Sequence, residues 1–362
     1  MELKLCRSGA RQRGLTLIEL MISITVGLVI VSALSYLYVG SRGTYRVNDN
    51  LARMQETGRF ALDWIARDLR GIGFMGCLAS REAQLTMVAR PPLPFASGAD
   101  ALKGIDRSST SWTGTASRPR VAGDALLVRS ADSASVNLES VNDVPGARIT
   151  IANNCLGLRQ SDTILISDCE KGYVVRITNT PANTCTATGS SAVTLEHFAG
   201  ATGSPGNGEN GIVSGADSHK IGALAVNNGA KVYRVQEKGY YIAVNPGGRR
   251  ALYRWTSADG AEEVVENVED LDVRYGLDTD NNDTVDEYRT AADVEAAAAW
   301  PQVRSARVSL LVVSPDDSVA TQAQQFTFRD TSGDGVPDAQ TAADRRLRQV
   351  FTATVALRNR LN

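Results

Sequence analysis

Two short acidic segments place oxygen-bearing side chains at alternate positions. The first contains Asp278, Asp280, Asn282, Thr284 and Asp286, and the second contains Asp330, Ser332, Asp334, Val336 and Asp338. Such alternation in a tight loop turns oxygens inward around a hard cation, and calcium is the one cofactor that the sequence suggests. Neither segment is a complete EF-hand, because Arg289 and Thr341 stand where the bidentate glutamate should be. Ordinary turns between strands would give the same pattern, so both interpretations stay open.

A second unusual carboxylate, Glu19, interrupts an apolar run from Leu15 to Val39 that contains no other charged residue. A helix of that length reaches about 37 Å, more than the ~30 Å hydrocarbon core of a bilayer. A carboxylate at the centre of a membrane-spanning helix raises the free energy of insertion by about 2.5–3.5 kcal/mol, and by less near the edge of the bilayer. A charged residue that is kept in such a helix usually has a function. Because no basic side chain lies near Glu19 on the run, its partner must come from elsewhere. Cleavage after Gly14 would create a free α-amine on Leu15. Glu19 would then pair with this amine in its own chain or with the same amine of a neighbouring copy.

The charges around this run predict a membrane topology. Residues 1–14 contain Lys4, Arg7, Arg11 and Arg13 against one acid, Glu2, and the remainder of the chain is net acidic. A basic leader before an apolar span predicts that the leader is cytoplasmic and the body is outside. A cleavable secretory signal would have a shorter apolar region and an A-x-A cleavage site. We therefore expect the apolar run to remain in the mature protein.

Four of the five cysteines lie beyond the apolar run, and the fifth, Cys6, lies in the leader. Their spacing does not match a zinc site, so in an exported body they predict two disulfides, with three possible connectivities. The short separation favours Cys169 with Cys185, which leaves Cys77 with Cys155. Four buried thiols are the alternative.

No motif of a nucleotide-binding, hydrolytic or zinc-dependent enzyme occurs. The two histidines, His197 and His219, lie apart and are expected to be packing or surface residues. The adjacent acids Glu262–Glu263 and Glu269–Asp270 are expected on solvated faces. We therefore predict a non-enzyme, and the net acidic body argues against a nucleic-acid partner.

Hydrophobic periodicity predicts the elements that position these residues. Residues 40–76 continue the apolar helix as an amphipathic one, with a weak point at Gly40 and Gly43 and an end at Gly71, Gly73 and Gly76. Its apolar face is formed by Val47, Leu51, Met54, Gly58, Leu62, Ile65, Leu69 and Ile72.

The body, residues 77–362, is predicted to be β-rich. Residues 77–124 look irregular, and strands are expected at 125–129, 163–167, 173–178, 231–236, 240–244, 250–255, 271–277, 304–313, 324–329 and 350–358. Turns are expected at 238–239 and 245–248, and a helix at 290–300. The predicted fold class is α+β, with one long helix packed on a large antiparallel sheet.

The stretch "RGLTLIEL" resembles the class III signal of type IV prepilins: a basic leader, Gly14 before the cut, a hydrophobic first residue and Glu19 as the fifth. Leu15 replaces the usual phenylalanine. Further segments are similar to PilW-type minor prepilins, including "RVNDNLARMQETGRFALDWIARDLRGIGFMGC", "RQSDTILISDC", "LDVRYGLDTDNNDTVDEY", "VRSARVSLLV" and "RRLRQVFTATVALRNR". The resemblance implies a pilin-like fold.

The resemblance also implies a function. Prepilin peptidase would cut between Gly14 and Leu15 and methylate the new amine. The protein would be a minor pilin that initiates or caps a type IV pilus, with other minor pilins and the major pilin as partners. It would span the inner membrane once, with its head in the periplasm, and then join the pilus on the cell surface. The alternatives are a minor pseudopilin of a type II secretion system and a pilus-borne adhesin.

Overall fold

The computed structural model describes residues 16–78, 85–89, 101–142, 148–185, 191–197, 207, 229–257, 259–330 and 337–357. The chain forms two compact units that meet between Ala52 and Arg53 in sequence. We call the second unit, from Arg53 onward, the head.

The first element is one helix, α1 (Leu17–Arg70), of 54 residues. The continuous helix expected from the periodicity is therefore confirmed, and neither Gly40 nor Gly43 interrupts it. Three residues beyond its end, Gly73 has a φ of 74°, which a residue with a side chain rarely adopts. By length and composition, α1 is the one helix of the described residues that could cross a membrane, with a mean hydropathy of 2.4 over its most apolar window.

The larger sheet of the head has ten strands: β1 (Leu85–Met87), β2 (Leu102–Ile105), β3 (Arg120–Asn142), β4 (Arg148–Ile151), β5 (Thr163–Ser167), β6 (Gly172–Arg176), β7 (Val193–Glu196), β8 (Lys231–Val244), β9 (Arg250–Thr256) and β10 (Gly260–Glu266). The strand order is β1-β6-β5-β8-β3-β4-β7, with β2 beside β3, β9 beside β8, and β10 beside β9. Only the β1–β6 pair is parallel among them.

A second sheet is antiparallel throughout, in the order β12-β11-β13-β16. Its strands are β11 (Val268–Leu277), β12 (Glu287–Arg289), β13 (Val303–Val313) and β16 (Arg348–Ala356). The helix α2 (Ala291–Ala296) lies in sequence between β12 and β13, and β14 (Gln325–Thr327) pairs with β15 (Ala339–Thr341).

The main core lies where the last turns of α1 pack on strands of both sheets. The buried helix residues Met54, Ala61, Ile65 and Leu69, with Ile72 just beyond the helix end, share one apolar cluster with residues of β3, β8, β11 and β13. The amphipathic face predicted for this part of the helix is thus confirmed. The α+β fold class is confirmed as well.

One predicted turn was wrong. Lys238 and Gly239 lie inside the unbroken strand β8, not in a hairpin. A Cβ on Gly239 would meet side chains of Leu127 and Trp112 at 3.0 Å, so this glycine allows close packing and does not make a turn. The other predicted turn is confirmed, because the N–H of Gly248 donates to the carbonyl of Asn245 at 2.9 Å between β8 and β9.

Other boundaries also differ. The irregular region expected at 77–124 contains β1, β2 and the start of β3, and the helix expected at 290–300 is confined to α2 and a 3-10 turn at Trp300–Gln302. The strands β4, β7 and β10 were not predicted.

Two disulfides are present, but the predicted pairing was wrong. Cys77 bonds to Cys169 with Cα atoms 4.9 Å apart, and Cys155 bonds to Cys185 with Cα atoms 4.7 Å apart. The prediction rested on sequence separation, whereas the fold carries Cys77, just beyond α1, to the turn between β5 and β6 that contains Cys169.

The second disulfide is positioned by a buried asparagine. The side chain amide of Asn154 donates to the carbonyls of Leu158 and Ala182 at 3.0 and 3.1 Å. The N–H of Asn154 donates to Thr184 Oγ1 at 3.1 Å. These bonds hold the segment before Cys185 against the loop of Cys155.

Candidate functional site

The first turn of α1 contains Glu19, and its carboxylate caps the helix. Glu19 Oε2 accepts from the N–H of Thr16 at 3.1 Å and from Thr16 Oγ1 at 2.9 Å, and the N–H of Glu19 donates back to Thr16 Oγ1 at 3.3 Å. This reciprocal arrangement is a capping box, which satisfies otherwise unpaired N–H groups at a helix start. Glu19 is nonetheless exposed, so its carboxylate can reach a further partner.

Three hydroxyl groups of the apolar segment bond to backbone carbonyls of the helix itself. Ser23 donates to the carbonyl of Glu19 at 2.7 Å, Thr25 to that of Ile22 at 2.8 Å, and Ser32 to that of Val29 at 2.8 Å. A hydroxyl bonded in this way adds little polarity to the helix surface. Between residues 17 and 39, Glu19 is the one charged residue.

The same segment exposes almost every large apolar side chain that it contains. The fractional exposure of these side chains ranges from 52% at Leu20 and Val26 to 82% at Tyr36. A soluble surface rarely presents so much contiguous apolar area, which marks a membrane or protein interaction site. The segment can therefore lie in lipid or against other apolar helices.

The last turns of α1, which belong to the head, are held against its sheets by polar contacts as well as by the apolar core. Asp68 accepts from Lys238 Nζ at 2.8 Å and from the hydroxyl of Tyr240, both on β8. Burial and then the nearby Asp68 raise the pKa of Tyr240, so its hydroxyl stays protonated and remains a donor. At Gly58 the helix approaches so closely that a Cβ would lie 2.4 Å from the ring of Phe351 on β16.

The first acidic loop brings three of its predicted ligands together. Carboxylate oxygens of Asp278, Asp280 and Asp286 lie within 4.8 Å of one another. Asp283, at the position where an EF-hand has glycine, adopts a φ of 63°. The Asp278 carboxylate is buried and already accepts from two backbone N–H groups, and Arg304 Nε lies 3.3 Å from it. The residues thus fit a cation only in part, because a guanidinium already balances the most buried acid.

Of the other predicted ligands, Asn282 bonds to a backbone N–H in a turn, and three residues of the second loop lie outside the described residues. The side chain of Asn282 accepts from the N–H of Thr284 at 2.8 Å, as in an ordinary Asx turn. In the second loop, Ser332, Asp334 and Val336 lie outside the described residues, as do Gly14, Leu15 and His219. The calcium hypothesis and the cleavage site therefore stay predictions.

The expectation that Glu269–Asp270 forms a solvated face was wrong. Asp270 on β11 is buried and pairs with Arg107 and Arg329, and Glu269 forms a two-point ion pair with Arg348 at 2.7 and 3.1 Å. Two adjacent acids look solvated in sequence, because the arginines that neutralise them come from distant segments. Glu262 behaves as expected, since it is exposed and pairs with Arg254 at 2.7 Å.

Another buried carboxylate, Asp124 on β3, was not singled out from the sequence. It accepts from the N–H of Arg107 at 3.1 Å and from the N–H of Val273 on β11 at 2.9 Å, and so links the two sheets. Burial raises its pKa to about 7, and Asp272 and Asp106 add to that rise. No local sequence pattern reveals such a group, whereas the Thr16-x-x-Glu19 spacing before an apolar run does signal the capping box that we missed.

Comparisons with known proteins agree with these features. Residues 239–359 match the family PilW, described as Type IV Pilus-assembly protein W, and residues 9–35 match the Prokaryotic N-terminal methylation motif. Among solved structures, the chain is similar to a type IV-like pilin from Thermus thermophilus, with 14% identity, a TM-score of 0.30, and coverage of 88% of this chain and 99% of that one. A likeness at that score carries no argument of its own. No curated protein matches significantly.

Along the chain, the first matched region lies in the unit that ends at Ala52, and the second lies within the head. The methylation motif covers the start of α1 with Glu19, and the PilW match runs from the second half of β8 to the end of β16. The chain therefore has an N-terminal region similar to the methylation motif of prepilins and a C-terminal region similar to the PilW family.

Proposed function

We propose that this protein is a minor pilin that initiates or caps the assembly of a type IV pilus, at the tip and together with other minor pilins. The observation that supports this best is the apolar, exposed start of α1 with Glu19 as its one charged residue, joined to a large PilW-type head. Such a helix needs an apolar environment, and a filament core made of similar helices provides one.

The proposed route begins in the inner membrane. Prepilin peptidase cuts between Gly14 and Leu15 and methylates the new amine, while the head stays on the periplasmic side. Glu19 then pairs with the α-amine of a neighbouring pilin as the helix moves from lipid into the filament on the cell surface. A carboxylate that is held at the first turn by Thr16 is well placed to meet an amine at the same level.

The tip position follows from size. The head comprises residues 53–362, and a body of this bulk packs poorly at every step of a repeating shaft but is accommodated at an end. The proposed partners are therefore other minor pilins and, below them, the major pilin.

Deleting the gene tests this proposal. We expect few or no surface pili, restored by the wild-type gene and by a Glu262→Gln control on the head. We expect no rescue by Gly14→Val, which obstructs cleavage. Normal pili with impaired surface attachment would instead indicate an adhesin, and normal pili with impaired protein secretion a pseudopilin; either result contradicts the proposal.

A further inference from the structure

The second sheet ends in a long strand, β16, that is paired on one side only. Residues 348–356 pair with 305–313 of β13, and no other strand of the described residues pairs with β16. The backbone groups on either side of β16 reveal which way its peptide groups point. The carbonyl of Leu347 accepts from Ser314 at 2.8 Å, and the N–H of Leu357 donates to Arg304 at 2.8 Å, both toward β13. Since peptide groups alternate along a strand, the even-numbered residues point away from β13.

One of these outward positions is already occupied, and the contact shows what the edge accepts. Gln324 Nε2 donates to the carbonyl of Arg348 at 2.8 Å, and Gln324 Oε1 accepts from the N–H of Arg348 at 2.7 Å. A side chain amide thus stands where a peptide group of a neighbouring strand would stand. It blocks the edge at Arg348 and leaves the rest open.

The remaining outward positions have no such partner. Within the residues that the structure describes, no hydrogen bond engages the outward peptide groups of Val350, Thr352, Thr354 or Ala356. The open edge is about 24 Å long at ~3.4 Å per residue. Thr352, Thr354 and Ala356 are exposed, so solvent reaches it.

This edge lacks the features that protect other edges. Strand β10, at the edge of the larger sheet, carries Glu262, Glu263 and Glu266 and has a register shift after Glu263, both of which discourage a further strand. The edge strands β1, β7 and β12 have three or four residues. In contrast, residues 349–356 of β16 read QVFTATVA, without a charge or a proline.

We propose that the outward edge of β16, residues 350–356, is a docking site for an extended strand of another pilin subunit, which joins the sheet. An open sheet edge specifies its occupant more closely than an apolar face does, because alternating N–H and C=O groups require an extended backbone. The uncharged, β-branched side chains of Val350, Thr352 and Thr354 fit small or β-branched neighbours on that strand. This inference rests on the proposed function for the class of partner.

The test uses the full chain in piliated cells, with a photo-cross-linking amino acid in place of Ala356. Thr352→Pro removes an N–H that bonds to no described residue of the head, and it obstructs a docked strand. Thr352→Val is the matched control, since it keeps that N–H and loses only the contact of Thr352 Oγ1 with Ser309 Oγ, 2.9 Å apart. We expect an adduct with another pilin, identified by mass spectrometry, that the valine variant retains and the proline variant reduces at least about tenfold.

Incomplete formation of the Cys77–Cys169 disulfide would reveal that Thr352→Pro disturbs folding. A second pair of variants keeps the test valid in that case. Thr354→Lys places a guarding charge on the open edge, and Thr341→Lys places one on the exposed β15. Only the first should reduce the adduct. An adduct with a second copy of this chain, an absent adduct, or an adduct unaffected by Thr352→Pro and Thr354→Lys would overturn the inference. If gene deletion still abolishes pili, the proposed function survives that result.

Discussion

Between Leu17 and Val39 the large apolar side chains of α1 lie exposed, whereas the described residues of the head expose four: Phe60, Phe74, Val121 and Val244. Large apolar side chains are thus exposed in the first part of α1 and mostly buried in its last turns. From Arg53 onward the helix finds its apolar partners in the sheets of its own chain. Between Leu17 and Val39 the described residues bury none of the large apolar side chains, so lipid or other subunits have to supply the apolar environment.

Charged groups show the same difference. In the head even a fully buried charge has its counterpart, as in the ion pair between Arg129 and Glu237, whose nitrogen and oxygen lie 3.0 Å apart. In the apolar segment, among the residues that the structure describes, the Glu19 carboxylate accepts hydrogen bonds from Thr16 alone. A buried pair must be complete within the chain, because breaking one costs about 3–5 kcal/mol. If the helix joins a filament as proposed, the Glu19 carboxylate can instead pair with a group on another subunit.

The largest expected effect concerns the disulfides, which belong to the head alone. Loop-entropy arithmetic gives about 4.6 kcal/mol for closing 92 residues and about 3.6 kcal/mol for 30 residues. Replacing Cys77 and Cys169 by serine should therefore lower the free energy of unfolding by about 1 kcal/mol more than replacing Cys155 and Cys185. Urea unfolding of the detergent-solubilised chain measures this, and Cys6→Ser is the control. Equal losses would contradict the loop-length account.

A matched pair of glycine substitutions compares the two parts of α1 directly. Gly58→Ala forces a Cβ against Phe351 and should destabilise the head by about 1–3 kcal/mol. Gly43→Ala meets nothing within 4 Å and should stabilise the helix by up to about 1 kcal/mol. Thermal unfolding of both variants in detergent gives the answer. Because the added Cβ meets Phe351, Gly58→Ala combined with Phe351→Ala should cost less than the sum of the two single losses. An unchanged stability in Gly58→Ala would refute the close approach.

Secondary structure was predicted best from the sequence where the pattern of apolar residues is local. The strand expected at 163–167 is β5, and the single long helix follows from a period maintained over many turns. Non-local features were missed, because the disulfide pairs, the arginines around Asp270 and the role of Gly239 depend on chain segments that meet only in the fold. The leader pattern around Gly14 was recognised without any structure, and residues 9–35 match the Prokaryotic N-terminal methylation motif.

A smaller effect is expected from the buried carboxylate between the sheets. The pKa of Asp124 is raised to about 7, above its unfolded value, so its contribution to stability is present below pH ~4 and is lost as the pH rises through 7. Its contribution should fall by at most about 1.4 kcal/mol per pH unit over that interval. Chemical unfolding at several pH values measures the slope, and Asp124→Asn should flatten it. An equal slope in wild type and variant would remove Asp124 as the cause.

The smallest expected effect is that of calcium. Because Arg304 already balances Asp278, any site in the first loop is weak, on the order of 10⁻⁴–10⁻³ M as in extracellular modules. Millimolar calcium should raise the melting temperature of the solubilised chain slightly relative to chelator, and Asp280→Asn together with Asp286→Asn should abolish the difference. Identical melting curves in calcium and chelator would reduce the loop to an ordinary turn.

The central claim is that Glu19 serves subunit docking, and the amount of the Glu19→Ala protein in sheared pili relative to the inner membrane tests it most directly. Thr16→Val is the control, since it removes the capping hydroxyl, worth about 1 kcal/mol, and keeps the carboxylate. We predict that Glu19→Ala is inserted in the membrane at the wild-type level or above, because a desolvation penalty is gone, while its share in pili falls at least about tenfold. Thr16→Val should enter pili nearly normally. Entry of Glu19→Ala into filaments at the wild-type level would contradict the account.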